Sequence, residues 1–317
     1  MRPVRKALAG ALLGTLLLAG CGQTGTTANP APATSQTATA ETGAGFPVTV
    51  EAANGKVTIE KKPERIVSLS SVHTESLFAI GAGPQVIAVD DQSNYPPEAP
   101  RTELSGFKPN VEAIVAQKPD LVVVSDDIDH VVAELTKVNV PVLHEPAAET
   151  LDEAYQEILD LGTATGNLAK AEEVVDGMKT ALDELAAGAA AGKGLTYYHE
   201  LDETPYSLTS KTFIGQIYAL FGLTNIADEA PDAAGGYPKL SAEFIAQADP
   251  DLIFLADVKC CRQNKETLAQ RPGWKNLTAV KKDRVIELDD DIASRWGPRV
   301  VDLAKAIGDA VAKTASE

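Results

Sequence analysis

The sequence predicts an α/β fold of two similar βα lobes, each built on a small parallel sheet, joined by a single long helix. Three observations predict it. A segment recurs without a gap: residues 111–126 align with 242–257, setting Glu112 on Glu243, Ile114 on Ile245 and Pro119-Asp120-Leu121 on Pro250-Asp251-Leu252. Each copy ends in an apolar run (121–124 and 252–255) that does not alternate. Such a run suits a strand covered on both faces, as in a parallel sheet. Between the copies, Leu168, Ala171, Val174, Val175, Met178, Leu182 and Leu185 recur at helical spacing. A helix over 167–187 has about 20 residues and spans roughly 30 Å, enough to run from one lobe to the other.

The elements follow in order. Residues 48–51 and 56–60 alternate apolar and polar side chains around Asn54-Gly55, a β-hairpin pattern that Pro63 ends. Residues 65–69 form a strand, 74–80 a helix stopped at Gly81, and 85–89 another strand. In the second half, 195–198 precede a helix over 212–221 that stops at Gly222. Asn167, following Gly166, is placed to cap the long helix. Strands alternating with helices imply a layered architecture in both halves. The expected organisation is an N-terminal lobe with its leading hairpin over 46–150, a helical connector over 151–192 and a C-terminal lobe over 193–317.

The first 45 residues are of another kind. Arg2, Arg5 and Lys6 precede the apolar run 7–19, and Leu18-Ala19-Gly20-Cys21 closes it. A basic head, a short apolar core and small residues before a cut make 1–20 a signal peptide. The closing tetrapeptide resembles the lipobox of bacterial lipoproteins, which implies acylation of Cys21 and an extracytoplasmic, lipid-anchored protein. Residues 21–45 are nearly all Gly, Thr, Ala, Ser, Gln and Pro, with Glu41 the one charge. Such a stretch cannot bury enough apolar surface to order itself and reads as a disordered tether. No second run approaches membrane-spanning length.

Charge excludes some partners. Loss of Arg2, Arg5 and Lys6 from the 28 basic residues leaves 25 against 45 acidic ones, a formal charge of −20. Nucleic acid, whose binding needs clustered Lys and Arg, is excluded, and so is an electrostatic grip on anionic lipid. Besides Cys21 the cysteines are Cys260 and Cys261, adjacent to each other. They form either a vicinal disulfide or two free thiols. No His or further Cys lies near them to complete a metal site.

Several stretches carry a family resemblance: 65–70, Thr74 to Gly81, Ser93-Asn94-Tyr95-Pro96-Pro97, Asn110-Val111-Glu112, Lys118 to Val122, Tyr237 to Glu243 and Arg295-Trp296-Gly297-Pro298-Arg299. In this order, over about 64–313, the chain resembles the substrate-binding proteins of bacterial importers for cobalamin and ferric siderophores, the cobalamin binder most of all. The resemblance implies a ligand cleft between the lobes and delivery of a cobalt- or iron-containing chelate to an ABC permease dimer with its ATPase subunits. A monomer is expected, with no resident cofactor or protein-bound metal. Haem binding within the same family is the alternative. A chelatase-like extracytoplasmic enzyme is a second, with the acidic triplet Asp289-Asp290-Asp291 as its candidate, although no nucleophile elbow, phosphate loop or HExxH helix occurs.

Aromatics are only 5% of the chain, so those placed beside Pro or Gly outside the periodic runs stand out: Tyr95, Phe107, Tyr206, Tyr237 and Trp296. Aromatic faces hold a flat macrocycle or catecholate well. By resemblance, Asp291 and Arg295 approach the polar periphery of the ligand, and Glu112 and Glu243, one per lobe, dock onto the two-fold permease. The resemblance also puts His73 at a ligand-facing turn, where with Tyr237 it could ligate haem iron, and His144 is the second such candidate.

Overall fold

The computed structural model describes residues 45–187, 189–232 and 234–316. The signal segment, Cys21 and the tether as far as residue 44 lie outside the described residues. Strands β1 (Val48–Ala52) and β2 (Gly55–Ile59) form the antiparallel hairpin, with Val48 opposite Ile59. Gly55, at φ +93°, supplies the left-handed residue that the turn requires. The hairpin tip is tied to the N-terminal lobe: Ala53 N–H donates to the His144 carbonyl (3.0 Å) and Asn54 Nδ2 to that of Val142 (3.0 Å).

The N-terminal lobe contains β3 (Ile66–Ser68), α1 (Ser71–Ala79), β4 (Val86–Val89), α2 (Val111–Ala116), β5 (Leu121–Val124), α3 (Val131–Lys137) and β6 (Val142–His144). Its four strands are parallel in the order β4-β3-β5-β6. The connector holds two helices where one was expected: α4 (Leu151–Thr165) and α5 (Leu168–Ala186). They pack closely, because a Cβ at Gly162 would lie 2.4 Å from the Cβ of Ala171. Asn167 is the N-cap residue of α5, as expected, but its side chain makes no capping hydrogen bond. Its Nδ2 donates to Gln85 Oε1 and to the Thr165 carbonyl (3.0 Å each), clamping the helical corner onto the N-terminal lobe.

The C-terminal lobe follows with β7 (Thr196–Glu200), α6 (Phe213–Ala219), β8 (Thr224–Asn225), α7 (Ala242–Ala248), β9 (Leu252–Leu255), α8 (Val258–Cys261), α9 (Lys265–Gln270), α10 (Thr278–Lys281), β10 (Val285–Glu287), α11 (Asp290–Ala293) and α12 (Val300–Ala315). Its sheet is parallel in the order β8-β7-β9-β10. Numbered within each lobe, both sheets run 2-1-3-4. The sequence repeat is thus a repeat of topology, with α2-β5 equivalent to α7-β9.

Both apolar runs of the repeat are wholly buried. One continuous core takes in residues of both lobes, running from Ile66 and Leu77 through Leu161 and Met178 to Tyr218, Phe254 and Ile307. Two smaller clusters cover the other face of each sheet. Apolar area shared across the lobes resists their separation at roughly 25 cal/mol per Å².

Candidate functional site

In both lobes the loops leaving the carboxyl ends of the strands carry the exposed aromatics. Tyr95, Phe107, Tyr206 and Tyr237 are four of the five exposed large apolar side chains among the described residues. Each is held out by local structure. Gly106 lets its loop pass beneath the end of β3, since a Cβ there would lie 2.5 Å from the Leu69 carbonyl oxygen, and Phe107 follows it at 66% exposure. Tyr206 and Tyr237 stand on two segments joined by backbone hydrogen bonds, with Tyr206 bridged to Lys239 and Ser207 N–H donating to the Pro238 carbonyl. The Lys239 ammonium lies 5.4 Å from the centre of the Tyr206 ring.

A cavity of about 710 Å³ opens between the lobes. Ala147, Ala148 and Glu149, which follow β6, form one wall. Thr209 to Phe213, Asp228 and Gly235 to Tyr237 form the other. Gln216 Nε2 donates to the Glu149 carbonyl (2.7 Å) and ties the walls together. The far wall needs its glycines: a Cβ at Gly215 would strike the Thr209 carbonyl at 2.0 Å, and Gly236 holds φ +101°. Of the four aromatics only Tyr237 lines this cavity. Tyr95 lines a separate groove of about 420 Å³ with Phe78, Pro96, Pro298 and Arg299. The Arg299 guanidinium lies over its ring at 4.2 Å.

Three expected binding residues have other work. Arg295 is buried and both its Nη atoms are engaged, with Nη1 donating to Glu75 Oε1 (2.5 Å) and Asn94 Oδ1 (3.1 Å), and Nη2 to Asp291 Oδ1 (2.7 Å) and the Gln92 carbonyl (3.2 Å). It fastens the C-terminal segment to α1 rather than offering a fork to a ligand. Asp291 accepts from Arg295, Lys259 Nζ (2.9 Å) and Asn94 Nδ2 (2.9 Å). Burial pushes its carboxyl up, but the bonds from Lys259 and Asn94 and the charge of Arg295 outweigh burial and hold it below the usual range. Trp296 packs partly buried against the shared core and donates its indole N–H to Glu157 Oε2 (2.9 Å). The signal missed in the sequence is Glu75, the one charge in α1. It is buried and also accepts from Arg299 Nε (2.7 Å) and Nη2 (2.5 Å).

His73 is likewise withdrawn. It is 1% exposed, with Nε2 3.4 Å from Glu157 Oε2, so it does not reach a ligand beside the exposed Tyr237. His144 is half-buried at the end of β6. The acidic triplet is taken up by local contacts: Asp289 and Asp291 pair with the Lys259 ammonium, and Asp290 accepts the backbone N–H groups of Lys259 and Cys260. The buried carboxyls Asp90, Glu145 and Asp257 are raised, each chiefly by burial. Glu145 is pushed up to about 8 by burial, with Asp160 and Glu157 adding, and Asp257 to about 7 by burial beside Glu200. No group of three His, Cys, Asp or Glu able to hold a metal ion occurs among the described residues. Cys260 and Cys261 are joined by a disulfide.

Glu112 and Glu243 are exposed in the first turns of α2 and α7, behind the caps Asn110 and Ser241. Both helices start from loops at the strand-carboxyl ends of their lobes. The pair therefore shares an end with the exposed aromatics.

Comparison with known proteins agrees with this build. The chain is 30% identical over 312 residues to an ABC transporter substrate-binding lipoprotein of Bacillus subtilis, YvrC, covering 95% of this chain and 94% of that one. It is 29% identical over 279 residues to a cobalamin-binding protein of Halobacterium salinarum, covering 84% and 74%. A crystal structure described as a possible iron-binding, periplasmic solute-binding protein of Staphylococcus epidermidis superposes with a TM-score of 0.69 at 25% identity, covering 79% of this chain and 99% of that one. The model of the periplasmic binding protein family matches residues 66–292, from the first strand of the N-terminal sheet to the last short helix before α12. The chain belongs to the periplasmic binding protein family.

Proposed function

We propose that this protein is a lipid-anchored extracytoplasmic receptor that captures a metal chelate, a cobalamin or a ferric siderophore, between its lobes and delivers it to the permease dimer of an ABC transporter. The observation that carries this reading is the cavity of about 710 Å³ walled by both lobes and edged by Tyr237. A pocket at a domain interface, of a size that takes a drug-sized or larger ligand, is the usual place for such a site. Its wall charges favour an uncharged, amide-rimmed chelate such as cobalamin over a polyanionic one, since Glu149 and Asp228 stand against Lys211 alone. Haem is the weaker reading, because the wall contains no His and His73 is buried. Glu112 and Glu243 would meet the permease, one from each lobe, and Cys21 would carry the anchor.

The test is titration of the purified protein with cyanocobalamin, ferrichrome, haemin and zinc, followed by calorimetry. Saturable binding of cyanocobalamin or ferrichrome at one site per chain is expected. Tight binding of zinc with none of the chelates would refute the reading. Cys21→Ser is expected to leave the protein unanchored, and retention in carbonate-washed membranes would refute the anchor.

A further inference from the structure

The disulfide between Cys260 and Cys261 lies in the one-turn helix α8, just beyond the carboxyl end of β9, and both cysteines are exposed. Exposed disulfides are the ones thiols reach, and they tend to be labile. This one sits inside a chain of contacts that ends at the opposite lobe. The backbone N–H groups of Lys259 and Cys260 donate to the Asp290 carboxylate at 2.8–3.0 Å. The Lys259 ammonium bridges Asp289 (2.6 Å) and Asp291 (2.9 Å). Asp291 in turn accepts from Asn94 of the N-terminal lobe and from Arg295. The bond closes a ring over two successive residues and so restricts the backbone of the turn that carries Lys259.

We infer that Cys260–Cys261 is a thiol–disulfide exchange site whose redox state reaches the joint between the lobes through Lys259 and Asp291. The co-reactant is a dithiol, in the cell a dithiol protein of the extracytoplasmic space. One thiolate of the dithiol attacks a cysteine Sγ and displaces the other cysteine as thiolate, and its second thiol then resolves the mixed disulfide. Two electrons pass from the dithiol, which becomes a disulfide, to the cystine. The two protons that the dithiol gives up end on the two cysteine thiols. Reduction opens the ring and frees the turn, so Lys259 no longer has a fixed origin from which to span Asp289 and Asp291. The joint at Asn94 and Asp291 loosens.

The test uses the full-length chain in detergent, with dithiothreitol as the dithiol. Alkylation mapped by peptide mass is expected to show both cysteines as free thiols while far-ultraviolet circular dichroism is unchanged. Hydrogen exchange is expected to rise about tenfold at the amides of Lys259 and Cys260, and by a smaller factor over 92–95 and 290–295. The double variant Cys260→Ser/Cys261→Ser is expected to match the reduced protein and to ignore dithiothreitol. Absence of alkylation in the folded protein would overturn the exchange site, and so would unfolding on reduction. Free thiols with unchanged exchange over 290–295 would overturn the coupling.

Discussion

Glu75→Gln tests the ion-pair network that holds the C-terminal segment onto α1. The Glu75 side chain is 1% exposed, and those of Arg295 and Arg299 are 10% and 17% exposed. Gln keeps the shape and one acceptor but removes the charge that two guanidiniums share. Arg295 retains Asp291, whereas Arg299 has no ion-pair partner besides Glu75 among the described residues. Stranding one partner of a buried pair costs about 3–5 kcal/mol. Because Arg299 keeps some contact with water and with the Tyr95 ring, the low end, about 3 kcal/mol, applies to Gln. Ala should reach about 5, since it adds a cavity. At roughly 2–4 °C per kcal/mol for a domain near this size, Glu75→Gln is expected to lower the melting temperature by about 6–12 °C. Thermal and urea unfolding measure it. The double variant Glu75→Met/Arg299→Met should be more stable than Glu75→Met alone, because it leaves less charge unpaired. A Gln variant within about 1 kcal/mol of the parent, or a double variant that is strictly additive, would refute the brace.

Tyr237→Ala is expected to weaken cyanocobalamin binding about 2- to 13-fold, the equivalent of 0.5–1.5 kcal/mol, with no change in melting. Trp296→Phe should do the reverse, leaving affinity unchanged and costing about 1–3 kcal/mol of stability as Glu157 loses a donor. Glu112→Arg with Glu243→Arg is expected to abolish uptake in cells while the purified protein binds as before, and a parallel loss of binding would move these residues to the ligand or the fold. Stability should be greater near pH 6 than near pH 8.5. Asp257 and Glu145, raised from 3.8 and 4.5 to about 7 and about 8, hold protons in the folded state that the unfolded chain has released, so stability falls as pH rises through those values. On the acid side His199, lowered by burial from 6.5 to about 3, contributes stability that is lost as pH falls below 6.5. Urea midpoints across pH check both limbs, and Asp257→Asn should flatten the alkaline one.

The strands were legible because a strand buried on both faces writes its burial into consecutive residues. Residues 121–124 and 252–255 are apolar throughout, and all eight are buried. Glycine stops were legible as well, since Gly81 and Gly222 end helices at φ +80° and +72°. The exposed tyrosines could be picked out because a Tyr beside Pro or Gly has no periodic neighbours to bury it. The interlobe network left no such trace. Arg295 and Glu75 are 220 residues apart, and a guanidinium reaching for a ligand looks the same in sequence as one held by a buried carboxylate. The missing connector helix fails for a related reason. The pattern of α4 is helical, but its partner shows only in the 2.4 Å approach that Gly162 permits to Ala171.

These two failures concern the same feature, the way the lobes are joined, and that feature limits how the protein can recognise anything. The α4–α5 pair, the Glu75 ion pairs and a core continuous from Ile66 to Ile307 all resist separation of the lobes. Opening the cleft widely would expose that shared apolar surface and break buried charge pairs, each a cost of several kcal/mol. A ligand that supplied this energy would have little left for affinity. Selectivity must therefore come from the loops at the strand ends, where Tyr237, Glu149, Lys211 and Asp228 can change without disturbing the core.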